Sequence, residues 1–341
     1  MFTPAFAFLT VTIISYLVWR WYNGLHCMDI HNKHVLITGG SSGIGLALAR
    51  EAVKRGAYVT IVARNTTRLN KAKQELSRFA EDASKITTLS MDLRRPFKEI
   101  KECLESNIDV VDVLIHCAGF AVAKTFLSTP TEAFDEQMAV SYLGPVHVTK
   151  VLLPKMLRPP EDASVQPKDR RIAFFSSIGG QISIYGYSGY AASKFAVRGF
   201  AAVLRQELEP TGILVTTVYP PDTDTPGFAN ENKGKPRVTE IISGPAGLWS
   251  PDAVATQVLH DILSGKPESV HGIVGWAVFL ATSGVSLPHE SMLGPLLAGI
   301  LELVLAQPLR LLSMLSAFWM RWVIMRYASC HDTLISQTEG E

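Results

Sequence analysis

Residues 38–45 read Thr-Gly-Gly-Ser-Ser-Gly-Ile-Gly, and this glycine turn decides the fold of the chain. The apolar run His34–Thr38 leads into the turn, and Leu46–Arg55 follows it with helical spacing of its apolar residues. Glycines let backbone N–H groups approach a pyrophosphate, and the N-terminus of the following helix adds a favourable dipole. A glycine-rich string alone is a weak signal. Its position between a first strand and its helix predicts a dinucleotide-binding turn.

Further apolar runs predict the rest of a parallel sheet. Each run is short, and stretches of helical character separate the runs, which is typical of βαβ units. The predicted strands are Tyr58–Ala63, Ile86–Met91, Val110–Ile115, Arg171–Phe175 and Leu214–Tyr219. We therefore expect an α/β protein with a Rossmann-type doubly wound parallel sheet, formed as a single domain by residues 27–270.

Charge is distributed unevenly along the chain. Charged residues make up 18% of the 341 residues, but residues 33–270 hold 53 of the 63, about 22% of that segment and near the soluble norm. Residues 1–19 hold none, and residues 271–326 hold five. The composition excludes a disordered chain, and the net charge of +1 provides no general field for nucleic acid. No nucleic-acid partner is therefore expected.

The apolar N-terminus predicts a membrane anchor at residues 1–26. The uncharged run Phe2–Trp19 has 18 residues, at the lower edge of what spans a bilayer, and aromatic residues at 19–22 suit the interface. A cleaved signal peptide is the alternative, but its basic start and small-residue cleavage site are missing. Positive charge follows the run, so the main domain is expected on the cytosolic side.

Residues 271–341 are expected to form an apolar, membrane-associated region that ends in a polar tail. Prolines separate its three apolar runs, Gly272–Leu287, Met292–Ala306 and Leu309–Met325, and limit each helix. Each run is short for a membrane span, and Glu302 would be costly if it faced lipid. Membrane contact is favoured over helices packed on the core, and spanning the bilayer or lying on it are both left open.

The end of the second predicted strand distinguishes the two nicotinamide cofactors. An acidic residue there would bind the ribose 2′-hydroxyl, whereas arginine can pair with a 2′-phosphate. This chain has Arg64, then Arg68 one turn later, and no carboxylate. NADPH is therefore the predicted cofactor, although two solvated arginines would give the same pattern. Asp92, after the third strand, is the predicted adenine contact. The spacing of the cysteines and histidines predicts no metal site.

The second half of the chain carries residues suited to proton transfer. Ser176 and Ser177 end the fifth predicted strand, and Tyr190 comes thirteen residues after Ser177. Lys194 is four residues beyond Tyr190, so both side chains share one face of a helix. A nearby ammonium favours a phenolate, so Lys194 is expected to lower the pKa of Tyr190 from its usual value near 10.

These motifs together resemble the short-chain dehydrogenase/reductase family. The T-G-x-x-x-G-x-G turn, the pair Ala118-Gly119, the strand-end serine and the Tyr-x-x-x-Lys motif occur in order over roughly residues 33–270. The resemblance implies reduction of a ketone by hydride transfer. Tyr190 would donate the proton, Lys194 would also hold the nicotinamide ribose, and Ser177 would hydrogen-bond the carbonyl oxygen. Ser176 is the alternative, and the thirteen-residue interval favours Ser177.

The resemblance also extends the predicted cofactor site. In the family, the turn after the sixth strand covers the nicotinamide end of the cofactor. The alternative for this chain is that the turn has only a structural role. Gly227–Ile242 would then form a mobile substrate lid, and Tyr185 and Tyr187 would line the substrate entrance. The predicted cofactor-binding residues are Gly39, Ser41, Ser42, Gly43, Ile44, Gly45, Arg64, Arg68, Asp92, Leu93, Ala118, Gly119, Tyr190, Lys194, Pro220, Thr223 and Thr225.

Two residues depart from the family pattern. His116 stands where the family usually has Asn at the start of the turn after the fourth strand. Ser141 aligns with a catalytic Asn that normally holds a water in the proton relay to the lysine. Serine has a hydroxyl but a shorter reach, so Ser141 is a candidate catalytic residue in an altered relay. The working hypothesis is that Ser177, Tyr190 and Lys194 remain sufficient.

Residues 219–228 read Tyr-Pro-Pro-Asp-Thr-Asp-Thr-Pro-Gly-Phe and bear on the substrate. With the apolar ends, this stretch resembles the branch of the family that reduces long-chain lipid ketones of sphingolipid synthesis in the endoplasmic reticulum membrane. One alternative is a membrane-bound reductase of steroids or retinoids. Another is a non-catalytic lipid- or nucleotide-binding protein that retains the fold. The family often pairs through the helices around Tyr190, so the resemblance allows a homodimer, while the sequence itself leaves the oligomeric state open.

Overall fold

The structure, a computed structural model, describes residues 27–157, 169–244, 247–282 and 314–328, together with residues 308 and 311. The strands in these ranges are β1 (His34–Thr38), β2 (Tyr58–Ala63), β3 (Ile86–Ser90), β4 (Val113–His116), β5 (Arg171–Phe175), β6 (Leu214–Tyr219) and β7 (Glu268–Val270). The helices are α1 (Gly43–Lys54), α2 (Thr66–Leu76), α3 (Phe97–Asn107), α4 (Thr131–Met138), α5 (Gly144–Leu157), α6 (Ser188–Leu208), α7 (Pro226–Glu231), α8 (Arg237–Ser243), α9 (Pro251–Leu263), α10 (Gly272–Thr282) and α11 (314–327). A five-residue π-helical segment, Ala139–Leu143, joins α4 to α5.

One parallel sheet contains the seven strands in the order β3-β2-β1-β4-β5-β6-β7. The chain changes direction across the sheet between β1 and β4, whose ends lie side by side with Thr38 next to His116. In doubly wound sheets, ligands bind at such a switch point, outside the carboxyl ends of the strands. The predicted Rossmann-type parallel sheet is confirmed, and the glycine turn lies at the switch point.

Helices cover both faces of the sheet, so its strands are buried on both sides. One apolar layer lies beneath α1 and α9 and contains Ile37, Leu48 and Val258. The other lies beneath α3, α5 and α6 and contains Leu36 and Leu152. Neighbouring residues of β1 therefore enter opposite layers, and a one-residue slip of the strand would exchange them. This fixes the end of β1 and the position of the glycine turn.

The strand bounds agree with the sequence prediction except at β3, β4 and β7. β3 ends one residue earlier than predicted. β4 begins at Val113, three residues later than predicted. Val110 is 40% exposed, and the Asp112 side chain accepts a 2.8 Å hydrogen bond from the His34 backbone N–H. β7 is absent from the prediction because three residues, Glu268–Val270, are too few to show a period.

The predicted N-terminal anchor at residues 1–26, the run Met292–Ala306 and the polar tail lie outside the described residues. Parts of the other two C-terminal runs are helical, as α10 and α11. Among the helices of the described ranges, none combines the length and the apolar character needed to cross a membrane.

Candidate active site

The glycine turn presents unpaired backbone donors at the end of β1. α1 begins at Gly43, and its N-cap residue, Ser42, makes no side-chain capping hydrogen bond. The backbone N–H groups of the first turn therefore remain available for phosphate oxygens. Gly39 has a φ of +74°, and a Cβ there would lie 2.8 Å from the Ala118 backbone. A Cβ at Gly45 would collide with the Gly39 carbonyl oxygen, so neither position tolerates a side chain.

A cavity of about 420 Å³ opens beside this turn, at the carboxyl ends of the strands. All of the residues predicted to bind the cofactor line it, from Gly39 through Arg64 to Thr225. Ser177 also lines it, and Ser141 does not. The structure therefore brings the predicted dinucleotide site and the predicted proton-transfer residues to one cavity.

Two arginines lie at the β2 side of the cavity. Arg64 and Arg68 are exposed there, and neither forms an ion pair within the described residues. Asp92 also lines the cavity, but its carboxylate is bound to Arg94, with Nη2 at 2.7 Å. The hydrogen bonds from Arg94 hold the pKa of Asp92 below its usual range. Two unpaired guanidinium groups suit a 2′-phosphate, so these residues fit NADPH.

The two serines after β5 have different partners. Ser176 is buried, and its hydroxyl donates a 2.9 Å hydrogen bond to the Lys194 carbonyl oxygen, which fastens β5 to α6. The Ser177 Oγ accepts a 3.1 Å hydrogen bond from the Gly179 backbone N–H. Ser177 also hydrogen-bonds the Tyr190 side chain, which favours the ionised form of Tyr190. Ser177 therefore stands beside the phenol, and Ser176 holds the helix that carries it.

Tyr190 and Lys194 lie on the first turns of α6, at the inner end of the cavity. Lys194 is 4% exposed, and its Nζ donates a 2.8 Å hydrogen bond to the Phe175 carbonyl oxygen. This Nζ lies 5.7 Å from the centre of the Tyr190 ring. Burial lowers the pKa of Lys194 to about 8. Lys194 is therefore mostly charged at pH 7, although it is almost completely removed from water.

The pKa of Tyr190 differs from the sequence expectation. Burial raises it above its usual value, and the opposing hydrogen bond from Ser177 is the smaller effect. The expected lowering by Lys194 is not found, because desolvation of the phenolate dominates. A raised pKa keeps the Tyr190 hydroxyl protonated at neutral pH, which is the form that donates a proton to a substrate.

Ser141 lies behind the cavity, in the π-helical segment between α4 and α5. It is 2% exposed, and its hydroxyl has no hydrogen-bond partner among the described residues. A Cβ added at Gly119 would lie 3.4 Å from the Ser141 Oγ and 3.1 Å from the Lys194 Nζ. Both atoms therefore approach the same point beside Gly119. Single-turn π segments often occur at functional sites, where they redirect one side chain.

His116, the other departure from the family pattern, does not line the cavity. Its Nε2 and the Thr149 Oγ1 share a 2.9 Å hydrogen bond, and its ring stacks on Phe174 with centroids 4.9 Å apart. Burial lowers the pKa of His116 to about 3, so it is neutral. These contacts give His116 a packing role beneath α5.

The turn after β6 connects the cavity to the predicted lid. The Thr223 hydroxyl donates a 2.8 Å hydrogen bond to the Pro221 carbonyl oxygen. The Thr225 Oγ1 accepts a 3.1 Å hydrogen bond from the Phe228 backbone N–H and so caps α7. The segment predicted as a lid, Gly227–Ile242, corresponds to α7 and α8. α7 begins one residue before this segment, and α8 ends one residue after it.

The structure buries Tyr187, one of the two tyrosines expected at the substrate entrance, and it brings to the cavity two carboxylates that the sequence analysis missed. Tyr185 and Tyr187, expected at the substrate entrance, are not among the residues that line the cavity. Tyr187 is buried beneath it, with its ring centroid 5.5 Å from that of Tyr190, and its hydroxyl donates a hydrogen bond to Glu231. Asp222 and Glu231 line the cavity instead. Their only sequence signal is position: Asp222 lies within the stretch 219–228, and Glu231 follows that stretch by three residues.

Comparison with known proteins agrees with this architecture. Residues 33–236 match the family described as short chain dehydrogenase. The 3-dehydrosphinganine reductase of Danio rerio is 38% identical over 266 residues, covering 76% of this chain and 77% of the relative. The 3-ketodihydrosphingosine reductase of Dictyostelium discoideum is 33% identical over 313 residues, covering 87% and 90%. A short chain dehydrogenase of Escherichia coli CFT073 complexed with NADPH shares the fold, with a TM-score of 0.58 at 22% identity, over 69% of this chain and 92% of that one. The match covers the glycine turn, Tyr190 and Lys194, and the chain therefore belongs to the short-chain dehydrogenase family of oxidoreductases.

Proposed function

We propose that this protein uses NADPH to reduce 3-ketodihydrosphingosine to dihydrosphingosine, a step of sphingolipid synthesis. The observation that carries the proposal is the presence of Ser177, Tyr190 and Lys194 in the same cavity as the glycine turn. The relatives at 33–38% identity are named for reductases of this ketone, and they align over most of their length. Fold alone would not indicate a substrate, so the residues of the site and the relatives' names together support it.

In this mechanism, the side chains hold the ketone and supply one proton. When bound, the reduced nicotinamide supplies a hydride to the carbonyl carbon. The Ser177 hydroxyl donates a hydrogen bond to the carbonyl oxygen and stabilises its developing negative charge. Tyr190 transfers its phenolic proton to that oxygen, which completes the alcohol. The Lys194 ammonium, fixed by the Phe175 carbonyl, stabilises the phenolate that remains.

The cofactor would be held by three groups of residues. The backbone N–H groups at the start of α1 would bind the pyrophosphate. Arg64 and Arg68 would bind the 2′-phosphate, and this contact would select NADPH over NADH. Lys194, Thr223 and Thr225 would hold the nicotinamide end.

We also place the enzyme at the endoplasmic reticulum membrane, with residues 27–270 facing the cytosol. Support comes from exposed apolar side chains on the two C-terminal helices. Ile273 on α10 is 89% exposed, and Phe318, Trp322 and Met325 on α11 are also exposed. Large exposed apolar groups of this kind mark membrane or protein contacts. A substrate with a long aliphatic chain partitions into lipid, so this location would bring substrate to the site.

One assay tests the function. Membranes that contain the full chain would be given NADPH or NADH with 3-ketodihydrosphingosine, a ketosteroid or retinal, and the alcohol product would be measured. We expect turnover of the sphingoid ketone with NADPH and a loss of about 100-fold or more in Tyr190→Phe. Tyr58→Phe, at an exposed tyrosine on β2, is the matched control.

Three outcomes would contradict the proposal. Faster reduction of the steroid or retinal would change the substrate class, and no turnover of any ketone would favour a binding protein that retains the fold. Wild-type turnover in Tyr190→Phe would remove the mechanism. Protease treatment of sealed microsomes tests the topology, because protection of residues 33–270 would place this domain in the lumen.

A further inference from the structure

Asp222 and Glu231 form an acidic wall of the cavity that contains Tyr190. Asp222 belongs to the turn after β6, where its backbone carbonyl accepts a 2.9 Å hydrogen bond from the Trp249 N–H. A second backbone hydrogen bond, from the Asp224 N–H to the Trp249 carbonyl oxygen, has the same length. The backbone that carries Asp222 is therefore fixed on both sides, and the mechanism proposed above uses neither carboxylate.

Glu231, at the end of α7, already has partners for its charge. Its Oε1 lies 2.9 Å from the Lys235 Nζ and also accepts the hydrogen bond from the Tyr187 hydroxyl. Lys235 is itself buried and lies 5.0 Å from the centre of the Phe228 ring. Glu231 is thus part of a compact group of side chains that supports the wall, and this group reaches Tyr190 through Tyr187, whose ring centroid lies 5.5 Å from that of Tyr190.

Asp222 has no comparable partner. Among the described residues, no side chain or backbone group forms a hydrogen bond or an ion pair with its carboxylate. Burial and repulsion from Glu231 raise the pKa of Asp222 to about 6, against an opposing attraction from Lys235. At pH 7 the group is still mostly ionised. The cavity therefore contains a partly desolvated negative charge with which no cation of the described residues forms an ion pair, because Lys235, which attracts it, is paired with Glu231. A cation placed there would be bound strongly, because desolvated charge pairs interact strongly.

The substrate of the proposed function, on which this inference rests, would supply that cation. In a 2-amino-3-ketone the amino group is on the carbon next to the carbonyl, so its N–C–C=O skeleton has the bond lengths of a peptide backbone. The amino nitrogen therefore lies about 3 Å from the carbonyl oxygen. With the oxygen at the hydroxyl of Tyr190, the ammonium must lie beside Tyr190. Asp222 and Glu231 line the same cavity as Tyr190, and their negative charges help to raise the pKa of Tyr190.

We propose that Asp222 binds the ammonium group of the substrate and is the residue that selects amino ketones over plain ketones, with the Glu231–Lys235 pair holding the wall in place. The ionic contact would also orient the ketone. With its amine at Asp222 and its oxygen at Tyr190, the substrate can turn only about the line that joins these two atoms. Asp222 thus reduces the orientations available to the ketone, and the walls of the cavity provide the third contact that selects one face of the carbonyl carbon.

The test compares two substrates in the full-length enzyme: a long-chain 2-amino-3-ketone and the same ketone without the amino group. Wild-type protein, Asp222→Asn, Asp222→Glu and the control Asp224→Asn would be assayed with NADPH for kcat/KM. We expect Asp222→Asn to lower kcat/KM for the amino ketone by about 10- to 100-fold and to change that for the plain ketone by less than about threefold. Asp222→Glu should retain part of the preference, and Asp224→Asn, at an exposed position of the same turn, should match wild type.

The outcomes separate this inference from the proposed function. If wild type reduces both ketones equally well, the reductase function stands and the role of Asp222 is overturned. Equal losses on both ketones in Asp222→Asn would also overturn it, because the side chain would then support only the turn. If wild type reduces neither long-chain ketone, the proposed function fails, and the inference fails with it. NADPH binding by Asp222→Asn, followed by cofactor fluorescence, verifies that the variant is folded.

Discussion

Replacing Lys194 by methionine should inactivate the enzyme and yet stabilise its fold at neutral pH. Burial lowers the pKa of Lys194 from 10.5 to about 8, so the charged ammonium is disfavoured in the folded protein. At about 1.4 kcal/mol for each tenfold change in an equilibrium constant, the charge costs about 3 kcal/mol at pH 6.5. Methionine removes this cost, but it leaves the Phe175 carbonyl without its hydrogen bond, a loss of about 1 kcal/mol. Lys194→Met should therefore be about 2 kcal/mol more stable than wild type at pH 6.5.

The sign of the pH dependence makes this prediction specific. The pKa of Lys194 is lower in the folded state than in the unfolded state, so the cost is full below pH 8 and disappears as the pH rises past 10.5. At pH 9.5 about 1.4 kcal/mol of it remains, and the advantage of Lys194→Met should be nearly gone. Urea unfolding of the cofactor-free, full-length protein in detergent at both pH values measures the difference. Lys71→Met, at an exposed lysine of α2, is the control. A variant that is less stable than wild type at pH 6.5, or an advantage that does not change with pH, would refute this account of Lys194.

Three further predictions concern the cavity. Ser177→Ala should lower kcat by about 10²-fold. Ser176→Ala should lower stability by about 1 kcal/mol, measured by urea unfolding, because it breaks the hydrogen bond to the Lys194 carbonyl oxygen. A loss of kcat in Ser176→Ala and not in Ser177→Ala would reassign the two serines. Arg64→Ala should raise the Kd for NADPH about tenfold or more and leave the Kd for NADH unchanged, as measured by fluorescence titration. An equal increase in both Kd values would contradict a contact between Arg64 and the 2′-phosphate. The preference for the amino ketone should increase as pH rises through about 6, where Asp222 ionises beside Glu231 and Lys235, and should be flat there in Asp222→Asn.

The sequence predicted those parts of the molecule that depend on local patterns. The glycine turn, the strands on both sides of it and the pair Tyr190 and Lys194 have fixed spacings, so their positions follow from the chain itself. All the predicted cofactor residues accordingly line one cavity. Ser176 and Ser177 could be separated only by structure, because neighbouring residues of a strand end have different partners that lie far away in the sequence.

Local sequence patterns could not predict contacts between segments that are distant in the chain. Tyr187 is bonded to a residue 44 positions away, and this contact draws it beneath the cavity instead of to the entrance. The role of Asp222 depends on the absence of an ion pair at its carboxylate within the described ranges, and no spacing in the sequence indicates this. The raised pKa of Tyr190 has the same origin, since burial outweighs a favourable neighbour only in the folded protein.

Thr225 belongs to two parts of the molecule at once, and this constrains the order in which ligands can enter. Its hydroxyl begins α7, while its methyl carbon lies only 3.0 Å from where a Cβ of Gly43 would be, against the phosphate turn. α7 cannot swing away from the cavity without withdrawing Thr225 from that turn. Opening wide enough for a long lipid would therefore loosen the dinucleotide as well. A kinetic sequence in which the nucleotide enters first and leaves last keeps α7 in place throughout.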